Sequence, residues 1–221
     1  MNHAPAFPSF GKRLLIPLVI MMMALADCAE PTAPEQGTGS LFPIAVGNRW
    51  IGKVTSLSPA GEITASGLDT VSIVAIDTIG SNTYFRNDLG MLYYERGGSL
   101  YLYDSPNRSF LVVKNNALSG ERFEFDTNRA SMFDSPCDTL ITNLMLLSTS
   151  QSFQTPDGLR AGYTFTSEAY CRSDPEGYIR QDSSTDGFVR GVGLVTSRRY
   201  RRNGSQWYLS HTWELISYRV N

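Results

Sequence analysis

Turn-forming residues recur at short intervals from Leu41 onward, and this spacing restricts the fold more than any other feature. Ser58-Pro59-Ala60-Gly61, Gly80-Ser81-Asn82, Arg96-Gly97-Gly98-Ser99, Ser105-Pro106-Asn107, Pro156-Asp157-Gly158, Asp174-Pro175-Glu176-Gly177 and Asn203-Gly204 all read as turns. Between them lie short runs rich in β-branched and aromatic residues: 69–77, 83–87, 91–95, 100–103 and 109–114. Such close spacing leaves little room for the crossover that parallel neighbours require, so the strands are expected to form an antiparallel meander. The chain reads as mainly β, a curled antiparallel sheet or partly open β-barrel with about one short helix near 136–148.

That helix is expected from Ser135-Pro136-Cys137-Asp138, a capping residue followed by proline at the first helical position and an acid at the third. Leu140, Ile141, Leu144, Met145 and Leu147 then follow at helical spacing. A loop leading into a buried strand is the alternative.

The last strand is the most legible. Trp207, Leu209, His211, Trp213 and Leu215 alternate with polar residues, after which the apolar positions shift to Ile216, Tyr218 and Val220. A strand changes face only through an extra residue, so a bulge or sharp twist is expected near Leu215-Ile216.

The N-terminus carries a different message. Lys12 and Arg13 precede an uncharged run, Leu14 to Ala26, that is interrupted by Pro17. A helix of that length spans roughly 20 Å at 1.5 Å per residue, against the about 30 Å of a bilayer core. A basic start, a short apolar core and small residues at its end make residues 1–27 an export signal. Leu25-Ala26-Asp27-Cys28 resembles the lipobox of bacterial lipoproteins, in which the cysteine is diacylated and becomes the new N-terminus. Asp27 departs from that pattern, where Gly, Ala or Ser is usual. Ala24-Leu25-Ala26 is also a cleavage site of the kind that releases a soluble periplasmic or secreted protein. Residues 28–40 combine the modified cysteine with a Pro- and Gly-containing tether too polar to bury a core. Residues 41–221 form a single β-rich domain.

Three cysteines are an odd number for an exported chain. With Cys28 lipidated, Cys137 and Cys171 remain as a pair, expected to form a disulfide in a compartment where such bonds persist, with two buried free thiols as the alternative.

Composition narrows the chemistry. Nineteen basic and 21 acidic side chains give a formal net charge of −2, unlike a nucleic-acid-binding domain. His3 lies in the export signal, which leaves His211 as the one histidine of the mature chain. No histidine-based metal set or serine-nucleophile elbow is present, so neither metal nor cofactor is expected. Gly191-Val192-Gly193 lacks the third glycine and following helix of a dinucleotide fingerprint and reads as close backbone approach. Arg198, Arg199, Arg201 and Arg202 are a candidate surface for docking on anionic groups, with Arg199 and Arg201 on one face and Arg198 and Arg202 on the other. Tyr101, Tyr103, Trp207, His211 and Trp213 are candidate pocket-lining residues.

Leu41 to Trp50 (LFPIAVGNRW) resembles the FPxxVGNxW opening of a broad group of uncharacterised bacterial envelope lipoproteins, and Gly191 to Val195 matches their GVGLV segment. The resemblance implies a lipid-anchored, β-rich envelope domain and supplies no catalytic residues. Ala29 after the anchor permits outer-membrane sorting under the rule that an Asp there retains lipoproteins at the inner membrane. The expected role is non-enzymatic binding or scaffolding at the membrane, with an envelope protein or an apolar ligand as partner. A carrier of lipid or another apolar ligand in a half-barrel cavity is one alternative. A polymer hydrolase using acids such as Asp134 and Asp138 is another.

Overall fold

The computed structural model describes residues 39–105, 108–127, 140–173 and 177–221. These residues form twelve strands: β1 (Arg49–Leu57), β2 (Ile63–Ile79), β3 (Asn82–Asn87), β4 (Leu92–Arg96), β5 (Ser99–Ser105), β6 (Arg108–Lys114), β7 (Arg122–Thr127), β8 (Leu140–Thr155), β9 (Gly158–Ser173), β10 (Gly177–Val189), β11 (Gly193–Asn203) and β12 (Gln206–Arg219). They make one antiparallel sheet in the order β6-β5-β4-β3-β2-β1-β12-β11-β10-β9-β8-β7. Every neighbour except β1–β12 is consecutive in sequence, so the order is that of an up-and-down barrel. The ladder is closed between the first and last strands and open between β6 and β7. The connection from β6 to β7 pairs with β8 instead, through Gly120 N–H to Leu146 O at 2.8 Å and Leu146 N–H to Glu121 O at 3.3 Å.

The sheet curls so that its two arms share a core. Leu100 and Val113 from β5 and β6 cluster with Leu144, Leu146, Tyr163, Phe165 and Phe188 from β8, β9 and β10. Between the arms runs a strap, Gly39–Gly47, whose Leu41 is fully buried in this cluster. Burial of one such side chain contributes about 1.5–3 kcal/mol. Arg190 pins the strap by donating to Gly39 O at 3.0 Å, to Asn115 O at 2.5 Å and to the Tyr163 hydroxyl at 2.8 Å. Asn115 in turn accepts from the Leu41 N–H at 2.7 Å.

The strap meets two distant parts of the chain at Trp50. Phe42 stacks on the indole at a centroid distance of 4.7 Å, and the indole N–H donates to Val192 O at 2.5 Å. Gly191 N–H donates to Ser40 O at 2.9 Å, which completes the junction. Gly193 has φ +109°, and a Cβ there would stand 2.8 Å from the Trp50 Nε1. Only glycine fits both conditions. The glycine pair of the GVGLV segment is therefore a backbone approach, as its sequence suggests. The asparagine of the opening motif also has a structural task. The backbone carbonyl of Asn48 accepts from Ile73, and its side chain bonds to Pro43 O and to the Asn221 N–H.

The expected helix is corrected in part by this structure. Residues 140–148 are extended and paired with β9 from Leu140↔Cys171 to Ser148↔Thr164, while 136–139 lie outside the described residues. The apolar positions that match a helical period also contain a strand period. Leu144 and Leu146 are buried on one face while Leu147 is half-exposed. The long partner strand satisfies the backbone and decides between the two.

The bulge expected in β12 is present. Ile51 pairs with Ser217 and Gly52 with Leu215, so Ile216 is the extra residue. A second bulge at Ser210, between the Arg199↔His211 and Tyr200↔Leu209 pairs, was not legible in the sequence. It moves Trp207 and Leu209 to the opposite face from His211 and Trp213, so the five residues do not share one face.

If the Trp50–Gly193 junction organises the strap, Gly193→Ala should destabilise by about 2–4 kcal/mol in urea denaturation, from φ strain plus overpacking. Gly204→Ala, at φ +61° with open space around it, should cost no more than about 1–2 kcal/mol.

Candidate functional site

The inner face of the closing half-sheet carries a groove built from cross-strand rows. One row runs Leu146, Phe165, Asp186, Ser197, Trp213, Val54. The next runs Leu144, Ser167, Ser184, Arg199, His211, Ser56. Each row starts apolar, inside the core, and turns polar across β10 and β11.

Two spaces open along these rows. A polar cavity of about 290 Å³ is lined by Ser167, Ala169, Asp182, Ser183, Ser184, Asp186, Ser197 and Arg199. An apolar cleft of about 250 Å³ is lined by Phe42, Trp50, Asp69, Val71, Leu194, Ser197 and Trp213. Ser197 lines both, so the two adjoin.

Within the polar cavity the side chains engage one another. The Ser167 and Ser184 hydroxyls are 2.7 Å apart, and Ser184 donates to Asp186 Oδ2 at 2.8 Å. With that proton spent on Asp186, Ser167 is the donor to Ser184. Burial pushes the Asp186 carboxyl above the ordinary carboxylate range, against hydroxyl donation from Ser197 and Ser184 and the attraction of Arg199. Asp182 Oδ2 takes the Arg199 Nη2 at 2.7 Å and Nε at 2.8 Å, with the Arg201 Nε at 3.8 Å.

The apolar cleft depends on a missing side chain. A Cβ on Gly52 would stand 2.0 Å from the Trp213 Cε2. Glycine at that position lets the indole lie against β1 and form the cleft wall. Strap residue Phe42 and first-strand residue Trp50 supply the rest of the aromatic surface.

The candidate residues are distributed unevenly around this groove. Trp213 lines the cleft, and Arg199 lines the polar cavity. His211 pairs across the ladder with Arg199 on the same face, 3.1 Å from the Ser210 hydroxyl through Nδ1. Burial first, and then the charges of Arg201 and Arg199, hold its pKa below the usual histidine value. Tyr101 and Tyr103 alternate with Leu100 and face away from the core. There Tyr101 stacks on Tyr94 at 5.3 Å, and Tyr103 lies 4.7 Å from Tyr84. Trp207 sits under the Arg180 guanidinium at 4.3 Å.

Arg201 shares Asp182 with Arg199, whereas Arg202 donates to Gly204 O in its own turn and Arg198 is exposed on the other face. Cys28, Cys137, Asp134 and Asp138 lie outside the described residues. Cys171 is on β9 opposite Leu140 and Ile179. No group of three or more metal-ligating side chains occurs among the described residues.

Sequence reasoning missed Asp182, Ser184, Asp186 and Ser197. Their only signal was two nearly unbroken polar runs, Gln181 to Asp186 and Thr196 to Arg202, which fit a solvated strand as well as a polar cavity.

No protein-family model matches the chain, and no curated protein matches it in sequence. Among solved structures, it is similar to a protein described as exported, with a YmcC-like fold, from Bacteroides fragilis NCTC 9343. The identity is 11% and the TM-score 0.43, over 83% of this chain and 100% of that one. It is also similar to a protein described as a lipoprotein from Parabacteroides distasonis ATCC 8503, at 14% identity and a TM-score of 0.46 over the same shares. Likeness at this level transfers no residue and no role.

The raised Asp186 pKa has a defined sign in stability. The folded chain holds this proton more tightly than the unfolded one, whose Asp titrates near about 3.9. The contribution therefore favours folding below that value and is lost as pH rises through the native midpoint. Asp186→Asn stays neutral, so its stability relative to the parent should improve with rising pH across that window in urea denaturation. A difference that is flat with pH would show an unshifted carboxyl.

Proposed function

We propose that this chain is an exported bacterial protein held in the envelope through a lipidated Cys28, where its curled sheet acts as a non-enzymatic binding module. The observation that carries the binding role is the apolar cleft adjoining a polar cavity at Ser197. Concave sites with aromatic walls and a few convergent polar groups are the usual form of a small-molecule site. Mutual engagement of the lining hydroxyls and carboxyls keeps them positioned before a ligand arrives, which lowers the cost of ordering them.

The anchor rests on the lipobox-like Leu25-Ala26-Asp27-Cys28 and the polar tether after it. Ala29 favours the outer membrane as destination. In the same compartment Cys137 and Cys171 form a disulfide. Its support is the pairing of Cys171 with Leu140, three residues beyond Cys137 in sequence.

The dimensions favour a small ligand over a bulky lipid. Spaces of about 250 and 290 Å³ sit at the lower edge of the roughly 300–1,000 Å³ typical of ligand pockets. Leu41 and its neighbours already fill the volume that a carrier of whole diacyl lipid would keep open.

Mass spectrometry of the protein extracted in detergent from its host should give residues 28–221 plus acyl chains, two protons light for the disulfide. Cys28→Ala should move the protein to the soluble fraction. An unmodified chain beginning at Asp27 would refute the anchor.

A further inference from the structure

We infer that the groove takes a neutral, hydroxylated headgroup carrying a short apolar chain: a glycoside-like amphiphile with its sugar in the polar cavity and its chain between Trp50 and Trp213. This rests on the binding role proposed above and adds the chemical class of the ligand.

The argument begins with charge. Asp182 faces the polar cavity in contact with Arg199 at 2.7 Å and with Arg201 at 3.8 Å. Asp186 is half-buried and accepts from the Ser184 hydroxyl at 2.8 Å. An anionic or cationic headgroup would meet two carboxylates, Asp182 and Asp186, already set against two guanidiniums, Arg199 and Arg201. It would also displace part of an existing, partly buried ion pair and leave the other partner uncompensated.

Neutral hydroxyls meet no such obstacle. They can donate to the Asp182 carboxylate and to the oxygens of Ser167 and Ser197, whose own protons are already given to Ser184 and Asp186. A cavity built from serines and carboxyls, without a dominant charge, selects for several hydroxyls on one compact frame.

The second half of the ligand follows from the neighbouring cleft. Phe42, Trp50, Val71, Leu194 and Trp213 present a mainly apolar wall, which Asp69 also lines, immediately across Ser197 from the hydroxyl-rich cavity. A free sugar would leave that wall solvated, and an alkane would leave the polar cavity unmatched. A ligand joining both classes within one short molecule meets both surfaces. The cleft volume limits the chain to a short one.

The test is isothermal titration calorimetry on the mature domain, using octyl β-D-glucoside below its micelle concentration as the probe. Octanoate and octylamine match its chain length with charged heads, and glucose matches its head without a chain. Saturable one-to-one binding of the glucoside is expected, at least tenfold tighter than either charged amphiphile, with no measurable glucose binding. Shortening the chain to hexyl should weaken it about tenfold, from the apolar contribution of two methylenes. Ser197→Val, which removes the shared hydroxyl, should also weaken it at least tenfold, with Trp213→Phe as a second variant if that protein fails to fold. Equal or tighter binding of octanoate or octylamine would overturn the headgroup class while leaving a binding groove in place. Glucoside binding unchanged by both variants would place the site elsewhere, and no binding of any probe would overturn the groove as a ligand site altogether.

Discussion

The indole of Trp50 donating to the carbonyl of Val192 is the contact on which the rest of this arrangement turns. It joins the first strand to the turn between β10 and β11, 142 residues away in sequence, and traps Phe42 of the strap in a stacked pair. A curled sheet of twelve strands has two arms that could splay, because the ladder is open between β6 and β7. The strap resists this by burying Leu41 between the arms and bonding through Arg190 and Asn115. A buried donor such as the Trp50 N–H is costly to leave unpaired, so the junction also fixes where the strap sits. The segments Leu41 to Trp50 and Gly191 to Val195 are thus the two sides of one structural joint.

The groove inherits its shape from that joint. Phe42 and Trp50 form part of the apolar wall, so a strap displaced from Leu41 outward would take the wall with it. Trp213 completes the cleft only because Gly52 carries no side chain. On the other side, Phe153 presses on Gly162 and Gly187, where added Cβ atoms would stand 2.8 and 2.4 Å from its ring. Gly187 is adjacent in β10 to Asp186, so close packing at that glycine helps hold the strand that presents the polar cavity. Glycines placed against aromatic rings serve here as spacers that set where the groove residues stand.

Much of the architecture was legible in sequence, and its exceptions have physical causes. The turn residues mark chain reversals because glycine tolerates positive φ, as Gly80, Gly158 and Gly204 do. The extra residue at Ile216 was visible as a shift of apolar phase. The bulge at Ser210 left no such trace, since Ser210 is small and its hydroxyl bond to Arg199 O arises only in the paired sheet. Leu140 to Leu147 carries both a helical and a strand period, and the partner strand decides between them. The polar cavity was hidden for a related reason. Asp182, Ser184 and Asp186 lie in a run that is polar at every position from Gln181 to Asp186, so the sequence does not mark which face the curl of the sheet turns inward.

Hydrogen–deuterium exchange on the mature domain, with and without saturating octyl β-D-glucoside, would test the central claim most directly. Added protection concentrated in β10, β11, the first half of β12 and the strap around Phe42 is the predicted result. Protection instead on the outer tyrosine face of β3, β4 and β5, with the groove strands unchanged, would contradict the account.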